Sequence, residues 1–218
     1  PEDRWTPFSA LPVVLICNSK LLRPGQADNW DALLSPNLRG RIAFADPAVS
    51  GSSFTALQTM LLALGPDRDE ELLQSFAGNL DGQQLGGSGE VAGAVAGGSA
   101  LVGVTLEETA LKRIAAGDDL ALIYPSGGTS CVPDASALIQ GAPHEDNAKQ
   151  FLDFTVSPEV QRLLTEQFCR RSVRGDIPSD LTPLEDIPLV DYNVEQASLD
   201  RDAILMTWAF YLGGEGET

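Results

Sequence analysis

Apolar runs of strand length alternate with segments of helical periodicity along the whole chain. Leu11-Pro-Val-Val-Leu-Ile-Cys17 is continuously apolar, the pattern of a strand buried on both faces. Residues 41–46, 100–105, 120–124 and 135–140 predict four more strands, the second of the five breaking at Pro47. Between them, residues 53–64 carry Leu57, Met60, Leu61 and Leu64 at helical spacing and stop at Gly65. Residues 67–77, 90–96, 107–116 and 147–155 predict further helices. Ser157 and Pro158 open another over 158–168, as N-cap and first-turn residue. A last helix, over about 195–212, places Ile204, Leu205, Trp208 and Tyr211 on a core-facing stripe. Such alternation predicts an α/β fold with mostly parallel strands. The polar stretch 175–191 reads as a linker.

Composition is that of an ordinary folded chain, and no apolar run approaches the ~20 residues of a membrane span. Lys and Arg number 14 against 31 Asp and Glu, a net charge of −17. A chain this acidic repels phosphate backbones and anionic lipid, which argues against nucleic-acid and membrane-surface partners. A small anionic ligand stays open to it, since a local site can oppose the global sign. Cys17, Cys131 and Cys169 fit no C-x-x-C spacing; they read as inert core thiols, with one disulfide plus a buried thiol as the alternative.

Four segments can carry chemistry. Asp46-Pro-Ala-Val-Ser-Gly-Ser-Ser53 lies between a strand and a helix, where a helix start offers free N–H groups and a positive dipole end. With Ser50, Gly51, Ser52 and Ser53 it forms a cradle for phosphate, phosphonate or carboxylate; the plainer reading is one N-capping serine and a solvated turn. Gly86-Gly-Ser88 has the same logic at a second helix entrance. Glu107 and Glu108 open a helix after a buried strand, and read first as partners of its dipole. Tyr124-Pro-Ser-Gly-Gly-Thr129 is a Gly-rich strand exit, a hinge or a loop of close approach. His144 is the sole histidine, so no His-rich metal site can form, and no nucleophile elbow, Walker loop or dinucleotide fingerprint occurs. Neither catalysis nor a resident cofactor or metal is expected. Arg170, Arg171 and Arg174 form the one basic cluster, read as compensation of a helix C-terminus.

Taken in order, Trp30-Asp-Ala-Leu-Leu, the run from Leu38-Arg-Gly-Arg-Ile-Ala-Phe-Ala-Asp46 to Ser53, Leu101-Val-Gly-Val-Thr-Leu-Glu-Glu108, Tyr124-Pro-Ser-Gly-Gly-Thr129 and Asn147-Ala-Lys-Gln-Phe-Leu-Asp-Phe154 resemble a known group. They are similar to the extracytoplasmic solute-binding proteins of ABC importers, of the iron(III), phosphonate and hexose-phosphate type. The resemblance implies a two-lobed periplasmic-binding (type II) α/β fold. In it, residues 1–18 end lobe one and cross over, 19–124 form lobe two, and 125–218 return to lobe one. It further implies that the family's N-terminal portion is missing, which leaves one lobe partial and prone to pairing or swapping.

The function so implied is capture of a small anionic solute, delivered in the periplasm to the permease subunits of an importer. A ferric-ion or iron-chelate carrier is the alternative. Ser50, Gly51, Ser52 and Ser53 would hold the anion, Ser88 and Thr105 would add contacts, and Glu107 would meet the rest of the ligand. Adjacent tyrosines, which iron-binding members carry near 105–107, are absent. Gly127 stands where hexose-phosphate members often carry Glu. Both Cys131 and Cys169 would fall in the returning part of lobe one, where export would permit a disulfide.

Overall fold

A strand that is apolar on both faces needs cover on both, and the computed structural model, which describes residues 5–213, supplies it. Its strands are β1 (Thr6–Asn18), β2 (Ile42–Ala43), β3 (Val102–Leu106), β4 (Leu120–Ile123) and β5 (Cys131–Ser136). Its helices are α1 (Gly51–Leu64), α2 (Asp69–Leu80), α3 (Ser88–Ala96), α4 (Glu107–Ala115), α5 (Glu145–Thr155), α6 (Pro158–Phe168) and α7 (Val194–Leu212). The chain divides into two compact units. The first joins the chain up to Leu11 with Cys131–Pro183, and the second joins Pro12–Ser130 with the chain from Leu184 onward.

In the second unit the strand order is β2-β3-β1-β4. β3 lies parallel to β2, while β1 runs antiparallel to both β3 and β4, with Leu15 opposite Val104 and Ile123. The expected mostly parallel sheet is therefore corrected to a mixed one: β2, β3 and β4 share a direction and β1 opposes them. Val13, Val14, Leu15, Ile16 and Cys17 are wholly buried. Their alternation divides the core. Val13 and Leu15 join Phe44, Val102 and Val104 with Leu57, Phe76 and Trp208 on one face. Val14 and Ile16 join Ala43, Val91, Val95 and Ala110 on the other. Phe44, Phe76 and Trp208 form an aromatic trio with centroids 5.1–5.9 Å apart. Trp208 carries α7 into this core, and the segment from Leu184 groups with Pro12–Ser130 and apart from Cys131–Pro183.

The stretch read as a linker is in part packed. Leu184–Asp186 is a 3-10 turn, Ile187 is buried, and Thr129 pairs with this strip through Pro188 O (2.8 Å) and Val190 N (2.8 Å).

The first unit is held mainly by polar contacts. Gln161, fully buried, donates to Phe8 O and Thr155 O and accepts from Ser172 Oγ and Val173 N, all at 2.8–3.0 Å. Arg170 pairs with Asp134 on β5 and donates to Ser9 Oγ. Arg174 pairs with Asp176 and reaches Val156 O, which caps α5. Arg170 and Arg174 thus work through ion pairs, Arg174 also reaches the end of α5, and the backbone N of Arg170 donates to Leu164 O near the end of α6 (3.1 Å). β5 pairs with β1 and begins four residues before the expected strand, because its partner rather than its own apolar run fixes it; Ile139 is left exposed. Of the two readings of the cysteines the structure has thiols and not the alternative disulfide; Cys17 is buried, Cys131 and Cys169 are half-buried, and burial pushes the Cys17 thiol above its usual range.

Two predictions follow from the packing. A Cβ at Gly103 on β3 would lie 2.7 Å from Val91 Cγ1 and 2.9 Å from Val95 Cγ2 on α3. Gly103→Ala is expected to cost about 1–3 kcal/mol in urea unfolding, partly recovered by adding Val91→Ala. Burial, with Asp200 and Asp67 nearby, raises the Asp69 carboxyl above the usual aspartate range. The folded state then holds this proton more tightly than the unfolded chain, so stability falls as pH rises through the raised pKa. Asp69→Asn should remove that slope, gaining on the wild type as the acid range is left; parallel stability–pH curves would contradict the assignment.

Candidate functional site

Because β2, β3 and β4 point the same way, their carboxyl ends meet at one edge of the sheet, where open α/β sheets bind ligands. β2 continues through Phe44 to Ala45, which bridges in parallel to Leu85. Three exits therefore lead from this edge into helix starts: Asp46 to α1, Leu85 to α3, and Leu106 to α4. The parallel pairings thus direct Ser50, Ser88 and Glu107, widely separated in sequence, to the same edge.

At the first exit, Asp46 folds the chain over itself. Its carboxylate accepts from Ala48 N (2.8 Å) and its carbonyl from Val49 N and Ser50 N. Ser50 caps α1, its Oγ accepting from Ser53 N at 3.3 Å, with Ser52 Oγ 3.2 Å away. The capping reading of this turn therefore holds for Ser50. Ser50 serves the helix, while the N–H groups of Gly51 and Ser52 are helix-start donors with no carbonyl a turn before them. Gly51 is exposed, with open space where a Cβ would stand, so its backbone is approachable. Ser53 is buried. The helix begins two residues earlier than periodicity suggests, because the cap and not the first apolar residue sets its start.

At the second exit Gly87 is the N-cap of α3, and Ser88, half-buried, is its first residue. At the third, Thr105 is 4% exposed and its Oγ1 has no partner among the described residues. A buried hydroxyl left so carries a desolvation cost of about 1–3 kcal/mol that a ligand acceptor or donor would relieve. Glu107 is 1% exposed, opens α4, and accepts from the phenol of Tyr124 at the carboxyl end of β4. That pairing escaped the sequence reading. Its only signal was that both residues follow buried strands, and the intervening antiparallel β1 is invisible in local pattern.

The loop after Tyr124 is one of close approach. Trp30 Nε1 donates to Gly128 O (2.8 Å), and Thr129 Oγ1 donates to Val13 O (2.6 Å). Gly128 has φ +103°, and a Cβ there would come 3.1 Å from Val190 Cγ1. This fixes the strand exit that presents Tyr124. A second residue the sequence did not single out is Arg201 of α7, whose Nη2 donates to Ala48 O at 3.4 Å.

The family described as bacterial extracellular solute-binding protein matches residues 1–192. An uncharacterized protein of Haemophilus influenzae is 28% identical over 186 residues, 82% of this chain and 53% of that protein. A Salmonella typhi protein named as a putative 2-aminoethylphosphonate-binding periplasmic protein is 25% identical over 188 residues, 82% of this chain and 55% of its own length. The chain thus spans about half the length of the curated relatives it matches. Among solved structures, a periplasmic binding protein of Actinobacillus pleuropneumoniae with exogenous fructose-6-phosphate bound superposes with a TM-score of 0.84 at 23% identity. That match covers 95% of this chain and 68% of the other. A ferric binding protein from Campylobacter jejuni gives 0.79 at 20% identity, over 95% and 70% of the two chains. Likeness at this level carries the fold, and the family match carries membership. The chain belongs to the bacterial extracellular solute-binding protein family.

Proposed function

We propose that this chain is the substrate-binding component of an ABC importer. It captures a small anionic solute, phosphorylated, phosphonate or carboxylate, outside the cytoplasm and hands it to membrane permease subunits. The observation that carries the reading is the convergence of three helix starts at one sheet edge, with Ser50, Ser52, Ser88 and the unpartnered Thr105 hydroxyl among them. Gly51 and Ser52 N–H groups hold the anion; the Ser52, Ser53, Ser88 and Thr105 side chains supplement them. Glu107, oriented by Tyr124, accepts from a donor elsewhere on the ligand. The work is binding rather than turnover. The phosphonate and sugar-phosphate compounds in the names of similar proteins point to the same ligand class. Solute-binding chains act beside permeases, and no helix among the described residues is long and apolar enough to cross a membrane.

Pairing or swapping through the first unit remains part of this proposal. Phe151, Phe154, Leu163 and Phe168 are exposed on α5 and α6, and such faces favour association. A ferric carrier is the second reading, favoured by the juxtaposed Tyr124 phenol and Glu107 carboxylate, both hard oxygen donors. A charge-transfer band on adding ferric salt, with no response to phosphonates, would move the assignment there.

In a thermal-shift screen, one phosphorylated, phosphonate or dicarboxylate compound is expected to stabilise the protein, by about 2.7 kcal/mol at a hundredfold excess over Kd. Ser52→Ala combined with Ser53→Ala should weaken that response at least tenfold; unchanged affinity for every compound would reject the cradle. Thr105→Val separates folding from binding. It removes an unsatisfied buried hydroxyl, so the ligand-free protein should gain about 1 kcal/mol while ligand affinity falls. A stability loss with affinity intact would show that Thr105 serves the fold alone.

A further inference from the structure

The turn that leads into α1 is braced from the far end of the chain. Residues 46–50 are held internally by Asp46, but the turn's outward carbonyl, Ala48 O, faces Arg201 on α7, 153 residues away. The same guanidinium lies over the Phe54 ring, Cζ 5.7 Å from its centroid, and Phe54 is buried in the first turn of α1. Seven residues further along α7, Trp208 packs edge-on against Phe44, two residues before Asp46, at 5.9 Å. One helix thus touches the strand before the turn, the turn itself and the helix after it. The opposing charge on the same helix is weak, since the Asp202 carboxylate lies 3.7 Å from Arg201 and its side chain is 93% exposed. Arg201 therefore brings positive charge to a turn that holds the Asp46 carboxylate and the start of α1, in a chain of net charge −17.

We propose that Arg201 is a positioning residue for the turn over residues 46–53, fixing its shape through Ala48 O and Phe54 and adding positive potential there, so that α7 belongs to the binding apparatus. The inference rests on reading that turn as an anion cradle, and its geometric half can be measured without any ligand. Amide exchange of residues 46–53 is compared in the wild type, Arg201→Ala and Arg201→Lys, beside titration with inorganic phosphate at low and high salt. Arg201→Ala should speed exchange in 46–53 with α7 still protected. It should also weaken phosphate by about fivefold at low salt and less at high salt, the span expected for one partly screened charge at a helix start. Arg201→Lys should recover the charge-dependent part of the affinity but not the protection, because an ammonium lacks the planar stack. Faster exchange in 46–53 without phosphate binding by any variant would uphold the brace and remove phosphate from the proposed function. Phosphate bound equally by wild type and Arg201→Ala, with exchange in 46–53 unchanged, would overturn the brace and leave that function standing.

Discussion

The pairing of β1 with β3 on one side and β4 on the other is the constraint on which the second unit depends. Five consecutive residues of β1 have no exposure at all, so every backbone group there must be satisfied within the protein. Its opposed direction separates β3 from β4 without reversing them, which keeps the carboxyl ends of β2, β3 and β4 together. Thr129 returns to Val13 O and fastens the exit of the β4 strand to the same β1. If β1 paired elsewhere, Glu107 and Tyr124 would not meet.

Convergence of helix starts is a consequence of that direction and costs little to build. Each exit needs a tight turn and a cap: Asp46 and Ser50 supply both for α1, and Gly87 serves α3. The capping serine serves the Ser53 N–H, which leaves the first two N–H groups of α1 without an intrahelical partner. The buried hydroxyl of Thr105 has no hydrogen-bond partner among the described residues.

The first unit is built differently. Among its described residues Ile177 is the one apolar side chain that is buried, and Gln161 and Arg170 do the organising that an apolar core does elsewhere. A buried amide with both donors and its acceptor occupied specifies a unique arrangement at little net stabilisation, because the same groups bond to water when unfolded. Apolar residues of α5 and α6 remain outward, although each helix is amphipathic in sequence. Their periodicity was legible; their exposure was not.

What the sequence determined by itself is what local chemistry enforces. Seven helices were readable, as were the caps Ser157 and Gly65 and the burial of β1 on both faces, because periodicity and capping act within a few residues. The candidate residues were equally legible, since Gly and Ser clusters at strand exits are local signals. Tertiary structure alone decided the direction of β1, the phenol of Tyr124 beside Glu107, the start of β5, and the placing of Arg201 and Trp208 against the turn before α1. Each of these joins positions far apart in the chain. The free energy that selects them comes from burying β1 and the aromatic trio in one particular pairing, a quantity that no short window of sequence contains.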